Sequence, residues 1–186
     1  MIRIQQEGAA DEAAREGLLD RAFGPGRHLK TSARMRAGRL PAEGLALVAR
    51  DIDTGAIVGS VRLWSVALGD GVEGDARAAL MLGPIGIDPE AQGQGVGTKL
   101  MRHALAEAAF RGHAAVILVG DPDFYERFGF DGRLVSDLRL PGPVEQRRFL
   151  GLELKPDALQ GAAGVVKPTG RRVPANTTAE MMAIAI

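Results

Sequence analysis

Cysteine is absent from the 186 residues, which excludes disulfides, thiolate metal ligands and a cysteine nucleophile. Histidine is scarce, three in all and scattered, so no zinc site is expected. Net charge is missing as well. The 23 Lys and Arg balance 23 Asp and Glu, and no general field draws the chain to nucleic acid or to an anionic membrane. Long apolar runs are lacking: none approaches the ~20 residues that span a bilayer. The opening MIRIQQEG has no apolar signal core, so a cytoplasmic protein is expected. Aromatic residues are few, with one Trp and one Tyr, which makes each a marked position. What remains is 46% hydrophobic and 25% charged, ordinary for one globular domain with a real core.

Taken in order, Ile2 and Ile4 alternate with polar neighbours as a short strand. Asp11 to Phe23 reads as a helix, with Ala14, Leu18, Leu19 and Phe23 on one face and Gly24-Pro25-Gly26 as its stop. Arg27 to Arg39 is basic and helical in pattern. Leu45 to Arg50, Ile57 to Leu68 and Arg77 to Ile87 read as an antiparallel meander, with a turn at Asp51 to Gly55, Gly59 as a bulge and an acidic loop at Gly69 to Asp75. Gly97 to Arg111 is a helix whose Val96, Leu100, Met101, Ala104, Leu105 and Ala108 form a buried stripe. Ala114 to Val119 is a continuous apolar strand of the kind buried on both faces. Phe124, Phe128 and Phe130 read as core; Trp64 reads as core or surface packing, with the wall of a substrate pocket as the alternative; His28 and His103 read as solvated. Pro156 to Leu159 reads as a helical turn and Val165-Val166 as an edge strand. The apolar end, Met181 to Ile186, is open to three readings: packing on the domain, burial in a homodimer, or disorder.

The stretch from Leu80 to Thr98 organises the rest. Its apolar run is a strand that Pro84 must bulge, since proline lacks a ladder donor. Asp88-Pro89 ends the strand. Gln92-Gly93-Gln94-Gly95-Val96-Gly97 then leads into the helix. Glycines at alternate positions let the backbone approach a bound group, and free N–H groups at a helix start suit phosphate oxygens. The residues alone point to a diphosphate cradle fed by a bulged strand. The triphosphatase loop does not fit, because Gly97-Thr98-Lys99 reverses its Lys-Ser/Thr order. The dinucleotide fingerprint fits poorly: its third glycine comes one residue early and Asp88 to Ala91 intervene, although Asp121 could serve as ribose acid.

Gln92-x-x-Gly95-x-Gly97, preceded by Gly83-Pro84-Ile85-Gly86-Ile87-Asp88-Pro89, resembles the Q/R-x-x-G-x-G/A loop and fourth strand of the GNAT superfamily of N-acetyltransferases. The resemblance implies an α/β fold with a mixed, mostly antiparallel sheet flanked by helices. It also implies acetyl-CoA as cosubstrate, with its pyrophosphate on Gln92, Gly93, Gln94, Gly95, Val96, Gly97 and Thr98, and its acetyl group beside Ile85, Gly86 and Ile87. Tyr125, Gly129 and Phe130 match the family's Y-x-x-x-G-F arm, which implies that Tyr125 is the general acid that protonates the departing thiolate. The arm departs from many members, which carry Asn-x-x-Ala on a longer helix before the tyrosine. Here Gly120 to Phe124 is short, as in a bacterial subgroup of predicted acetyltransferases.

The implied reaction is direct attack of a primary amine, from a small molecule or a peptide, on the acetyl carbonyl. Asp70, Glu73 and Asp75 border the expected acceptor side, but no general base is chosen among them. The motifs cover about 80 to 130, and the meander carries the likeness across residues 1–155; residues 156–186 read as a C-terminal extension. Two other classes stay open at this point: a non-catalytic acyl-CoA-binding module, and a nucleotide-dependent oxidoreductase using Asp121.

Overall fold

A computed structural model describes residues 1–69 and 77–174. Asp70, Glu73 and Asp75 of the acidic loop, and the apolar end 181–186, lie outside the described residues. The elements run β1 (Ile2–Gln6), α1 (Glu12–Phe23), α2 (Thr31–Arg34), β2 (Ala46–Asp51), β3 (Ile57–Leu68), β4 (Arg77–Leu82), β5 (Gly86–Ile87), α3 (Val96–Phe110) and β6 (Ala115–Val119). There follow α4 (Pro122–Tyr125), β7 (Leu138–Arg139), β8 (Phe149–Glu153), β9 (Gly164–Val165) and β10 (Lys167–Pro168). The main sheet has the order β1-β2-β3-β4-β6-β8, with β5 and β10 also paired to β3. Within it, β4 and β6 are parallel and the other pairs antiparallel. The sheet is therefore mixed and mostly antiparallel.

Period-two alternation sorts the strands onto two faces. Leu47, Ala49, Val61, Leu63, Leu80, Leu82, Val116 and Leu118 pack with Leu100, Met101, Ala104 and Ala108 of α3. The opposite set, Val66, Ala79, Met81, Ala115 and Ile117, packs with Met35, Val135, Leu138 and Phe149. Residues after 155 add Leu159, Ala162 and Val166 to this second core. The apolar run of β6 is buried on both faces because each face has its own cover. α1 covers Val48 and Ile57 with Leu18 and Leu19. Among the described residues no helix is long and apolar enough to cross a membrane.

Several expected elements differ. The strand expected from Arg77 to Ile87 is two strands, because the chain bulges at Gly83-Pro84-Ile85. The basic stretch after α1 keeps only four residues of α-helix, α2, beside a 3-10 turn at Pro25–Leu29. Ala14 is exposed, while Arg15 is buried in its place. Pro156 to Leu159 forms turns and no helix. The bulge expected at Gly59 is there, as a register shift between Ala49↔Gly59 and Arg50↔Ile57. Trp64 is core, with its indole N–H on the Arg39 carbonyl at 3.2 Å.

Candidate active site

The site begins with the break between β4 and β5. Leu82 lies opposite Leu63 and Gly86 opposite Ser60, so one strand uses one residue more than the other. Proline forces that extra residue, since Pro84 cannot donate to the ladder. The ladder from β4 to β6 spans Leu80↔Val116 and Met81↔Ile117; past it the two strands separate. Asp88 donates its N–H to the Val58 carbonyl at 2.9 Å. Antiparallel alternation then sends the Gly86 N–H to β3 and turns those of Ile85 and Ile87 toward the gap. Among the described residues the Ile85 N–H has no backbone acceptor. Gly86 is also the contact point of α1: a Cβ there would lie 2.6 Å from Leu19 and 3.0 Å from Leu18.

Asp88 anchors the loop that follows. Its carboxylate accepts from Arg21 Nη2 at 2.8 Å and from the Glu90 N–H at 3.1 Å. The Arg21 bond above all holds its pKa below the ordinary carboxylate value. Gly95 is the N-cap of α3 with φ 75° and ψ 7°, a left-handed conformation that favours glycine. The first helical bond runs from the Lys99 N–H to the Gly95 carbonyl at 3.1 Å. The N–H groups of Val96, Gly97 and Thr98 therefore have no helical acceptor and point out of the helix start. The Val96 side chain is core, so its part in a site is its N–H. Gln94 Nε2 donates to the Glu90 carbonyl at 3.0 Å and braces the loop.

The opposite wall is the arm after β6. Asp121 caps the four-residue α4 by accepting from the Asp123 N–H at 3.3 Å. Tyr125 is held edge-on against Phe124 and Phe130, with ring centroids 4.9 and 5.9 Å away. Gly120 lies directly under the ring, where an added Cβ would come 2.1 Å from Tyr125 Cε2. The side chain is nearly buried. Among the described residues its hydroxyl has no hydrogen-bond partner. Burial pushes the phenol up to about 12; the nearby Arg148 cation opposes the shift and Asp121 adds to it. The group is thus a neutral proton donor at any ordinary pH.

These parts meet in one cleft of about 400 Å³. Leu82 to Ile85, Ile87, Gln92 and Gly97 form one wall, and Val119 to Asp121, Phe124, Tyr125 and Arg148 the other. Of the residues expected in the site, Ile85, Ile87, Gln92, Gly97 and Tyr125 line this cleft directly. Gly93, Gln94, Gly95, Val96 and Thr98 form the loop and helix start beside it, and Gly86 sits behind it under α1. Sequence reasoning missed Phe23, Arg27, Lys30, Arg36 and Arg148, which close the cleft from the α1–α2 side and from β8's entry. Phe23 carried a cue, since it ends the helical stripe just before a glycine-proline break; the cations carried none.

A family model described as an acetyltransferase (GNAT) domain matches residues 42–131. The chain is 35% identical over 123 residues to the protein of Escherichia coli K12 named uncharacterized N-acetyltransferase YhbS, covering 66% of this chain and 71% of that one. A crystal structure of the E. coli GNAT family N-acetyltransferase YhbS in complex with CoA matches with TM-score 0.73 and 32% identity, over 91% of this chain and 89% of that one. A GNAT family acetyltransferase from Brucella melitensis, in complex with acetyl-CoA, matches with TM-score 0.66 and 27% identity, over 91% and 96%.

Proposed function

Because the chain belongs to the GNAT family of acetyltransferases, we propose that it transfers an acetyl group from acetyl-CoA directly to a primary amine of a small molecule or a peptide. The observation that carries the direct-attack reading is the pairing, across one cleft, of the Ile85 N–H and the Tyr125 hydroxyl, neither of which has a hydrogen-bond partner among the described residues. In this reading the pantetheine arm lies in the gap between β5 and β6 and takes the strand hydrogen bonds that β6 leaves unmade. The pyrophosphate rests on the N–H groups from Gly93 to Thr98. The cytoplasmic location expected from composition belongs to the same reading.

The amine, once it has lost a proton, attacks the acetyl carbonyl. A C–N bond forms, the C–S bond breaks, and charge passes through the carbonyl oxygen to sulfur. In this reading the Ile85 N–H holds the oxygen; one such preorganised donor is typically worth about 3 kcal/mol. Tyr125 then gives its proton to the thiolate, and the second proton, which the nitrogen sheds as it becomes an amide, returns the phenolate to the phenol. Its pKa of about 12 is above that of an ordinary thiol. Yet the burial that disfavours a phenolate also disfavours a thiolate in the same cleft, which narrows the gap. Asp121 is the carboxylate among the lining residues, so it and solvent are the available acceptors for the amine's proton.

Bisubstrate kinetics with a panel of amines test this reading. Direct transfer gives intersecting double-reciprocal lines and no acetylated protein by mass spectrometry. Parallel lines with an acetyl-enzyme mass would replace it by a two-step mechanism. Tight acetyl-CoA binding without amine-dependent thiol release would leave a binding module.

A further inference from the structure

A second hollow of about 330 Å³ adjoins the cleft and shares Arg27, Arg36 and Pro84 with it. Its charge is lopsided: six arginines line it against one carboxylate, Glu16. The carboxylates around it are already engaged. Glu7 pairs with Arg15 at 2.9 Å and with Arg62 Nε at 2.7 Å. Glu16 takes Arg15 at 2.6 Å and also Arg27, and Asp20 takes Arg27 at 2.7 Å. Arg39 donates to the Gly170 carbonyl at 2.5 Å.

Arg36 is left over. Among the described residues it pairs with no carboxylate or carbonyl; its contact is the face of Trp64, 5.2 Å from the ring centroid. Burial, then repulsion from Arg27, pushes its guanidinium down to about 10 while Glu16 acts against the shift, so it stays charged at neutral pH. A half-buried cation with no counter-ion in hydrogen-bond reach is unfavourable, and a docking anion relieves it. The Trp64 face holds the guanidinium at one end of the hollow, and the N–H edge of a guanidinium suits a two-oxygen partner.

We propose that the amine acceptor carries an anionic group, carboxylate or phosphate, which docks on Arg36 in this hollow while its nitrogen reaches the cleft at Pro84 and Ile85. The proposal rests on the acetyl-transfer reading and names the acceptor class for it. Polyamines are disfavoured by the same surplus of positive charge.

Two measurements test it. The first compares kcat/KM for β-alanine and 2-aminoethyl phosphate with that for propylamine and 1,4-diaminobutane. The anionic amines should lead by at least about tenfold. In Arg36→Gln, shown to be folded by its melting curve, that ratio should fall by at least about tenfold, with partial return in Arg36→Lys. The two anionic arms separate carboxylate from phosphate. The second needs no turnover. N-acetyl-β-alanine is titrated into the CoA complex and the fluorescence of Trp64, the only tryptophan, is followed. Saturation in the native protein, with a midpoint at least about tenfold higher in Arg36→Gln, supports the anion site. An equal midpoint in the variant, equal response to neutral N-propylacetamide, or the diamine as best substrate overturns it. If the titration saturates but no amine is acetylated, transfer fails and the anion site stands. Acetylation without anionic preference overturns the anion site and leaves transfer standing.

Discussion

On the loop side of the cleft, the groups that face inward come from one continuous stretch, Ile85 to Thr98, and most are backbone N–H groups. On the arginine side they are side chains gathered from α1, β3 and the turns on either side of α2: Arg15, Arg27, Arg36, Arg62 and Trp64. The first kind of site is specified by where the chain must bulge, turn left-handed or start a helix, which are local demands on residue type. The second exists only after packing, because Glu7, Glu16 and Asp20 hold Arg15, Arg27 and Arg62 together across separate elements, and Trp64 of β3 takes Arg36. Deleting a side chain should therefore do little on the loop side and much on the arginine side. Adding one should do the opposite.

Tyr125 lies outside that rule and has the largest expected effect. Tyr125→Phe keeps the ring against Phe124 and Phe130 and removes the proton. Turnover should fall by roughly 10²- to 10⁴-fold, with acetyl-CoA affinity within a few-fold. Since burial raises the phenol's pKa to about 12, Tyr125 stays protonated as pH rises; if it is the acid, native turnover should show no alkaline fall below about pH 10. A fall nearer pH 8 would point to another acid.

Glu7→Ala removes the carboxylate shared by Arg15 and Arg62. Glu7 and Arg15 each have side chains 4% exposed. Removing one partner from a buried pair typically costs about 3 kcal/mol or more, which for a domain of this size is a melting drop of roughly 6–12 °C. A drop of a degree or two would mean that the arginine side is wetter than its burial implies.

Gly97→Val probes the loop side by addition. Its Cβ would meet Ile87 and Phe124 at ordinary contact distances, 3.5 and 3.7 Å, so the apo fold tolerates the start of a side chain there. Acetyl-CoA affinity by calorimetry should weaken by at least tenfold, about 1.4 kcal/mol, while apo melting changes less. Gly95→Val is a poorer probe, because the left-handed backbone at Gly95 strains any L side chain. Unchanged affinity in Gly97→Val would remove the cosubstrate from this wall.

Arg21→Ala should have the smallest effect. Arg21 is 56% exposed and its bond to Asp88 ties α1 to the loop; such pairs are worth below about 1 kcal/mol. Asp88's pKa is depressed in the folded state. Its contribution is therefore present above the ordinary carboxylate pKa near 4 and fades as pH falls through the depressed value. The melting difference between native and variant should close on acidification.

Much of the fold was legible because apolar periodicity is a local record of burial. The stripe of α3 and the double-faced run of β6 both read correctly. The broken strand at Pro84 was legible only as a bulge; its split into β4 and β5 depends on how β3 pairs on each side. Ala14 misled, since helical spacing says which residues share a face but not how far the sheet beneath extends. The arginines of the second hollow looked like a solvated basic stretch, and no spacing distinguishes an exposed cation from one pressed onto Trp64.

The most direct test of the cosubstrate's place is amide hydrogen exchange by NMR, with and without saturating acetyl-CoA. If pantetheine fills the gap and the pyrophosphate sits on the helix start, the N–H groups of Ile85, Ile87, Val96, Gly97 and Thr98 slow by at least about tenfold. Those of Gly86 and Asp88, directed to β3, should change little. Unaltered exchange at the first five, in a protein shown by calorimetry to be saturated, would contradict that placement.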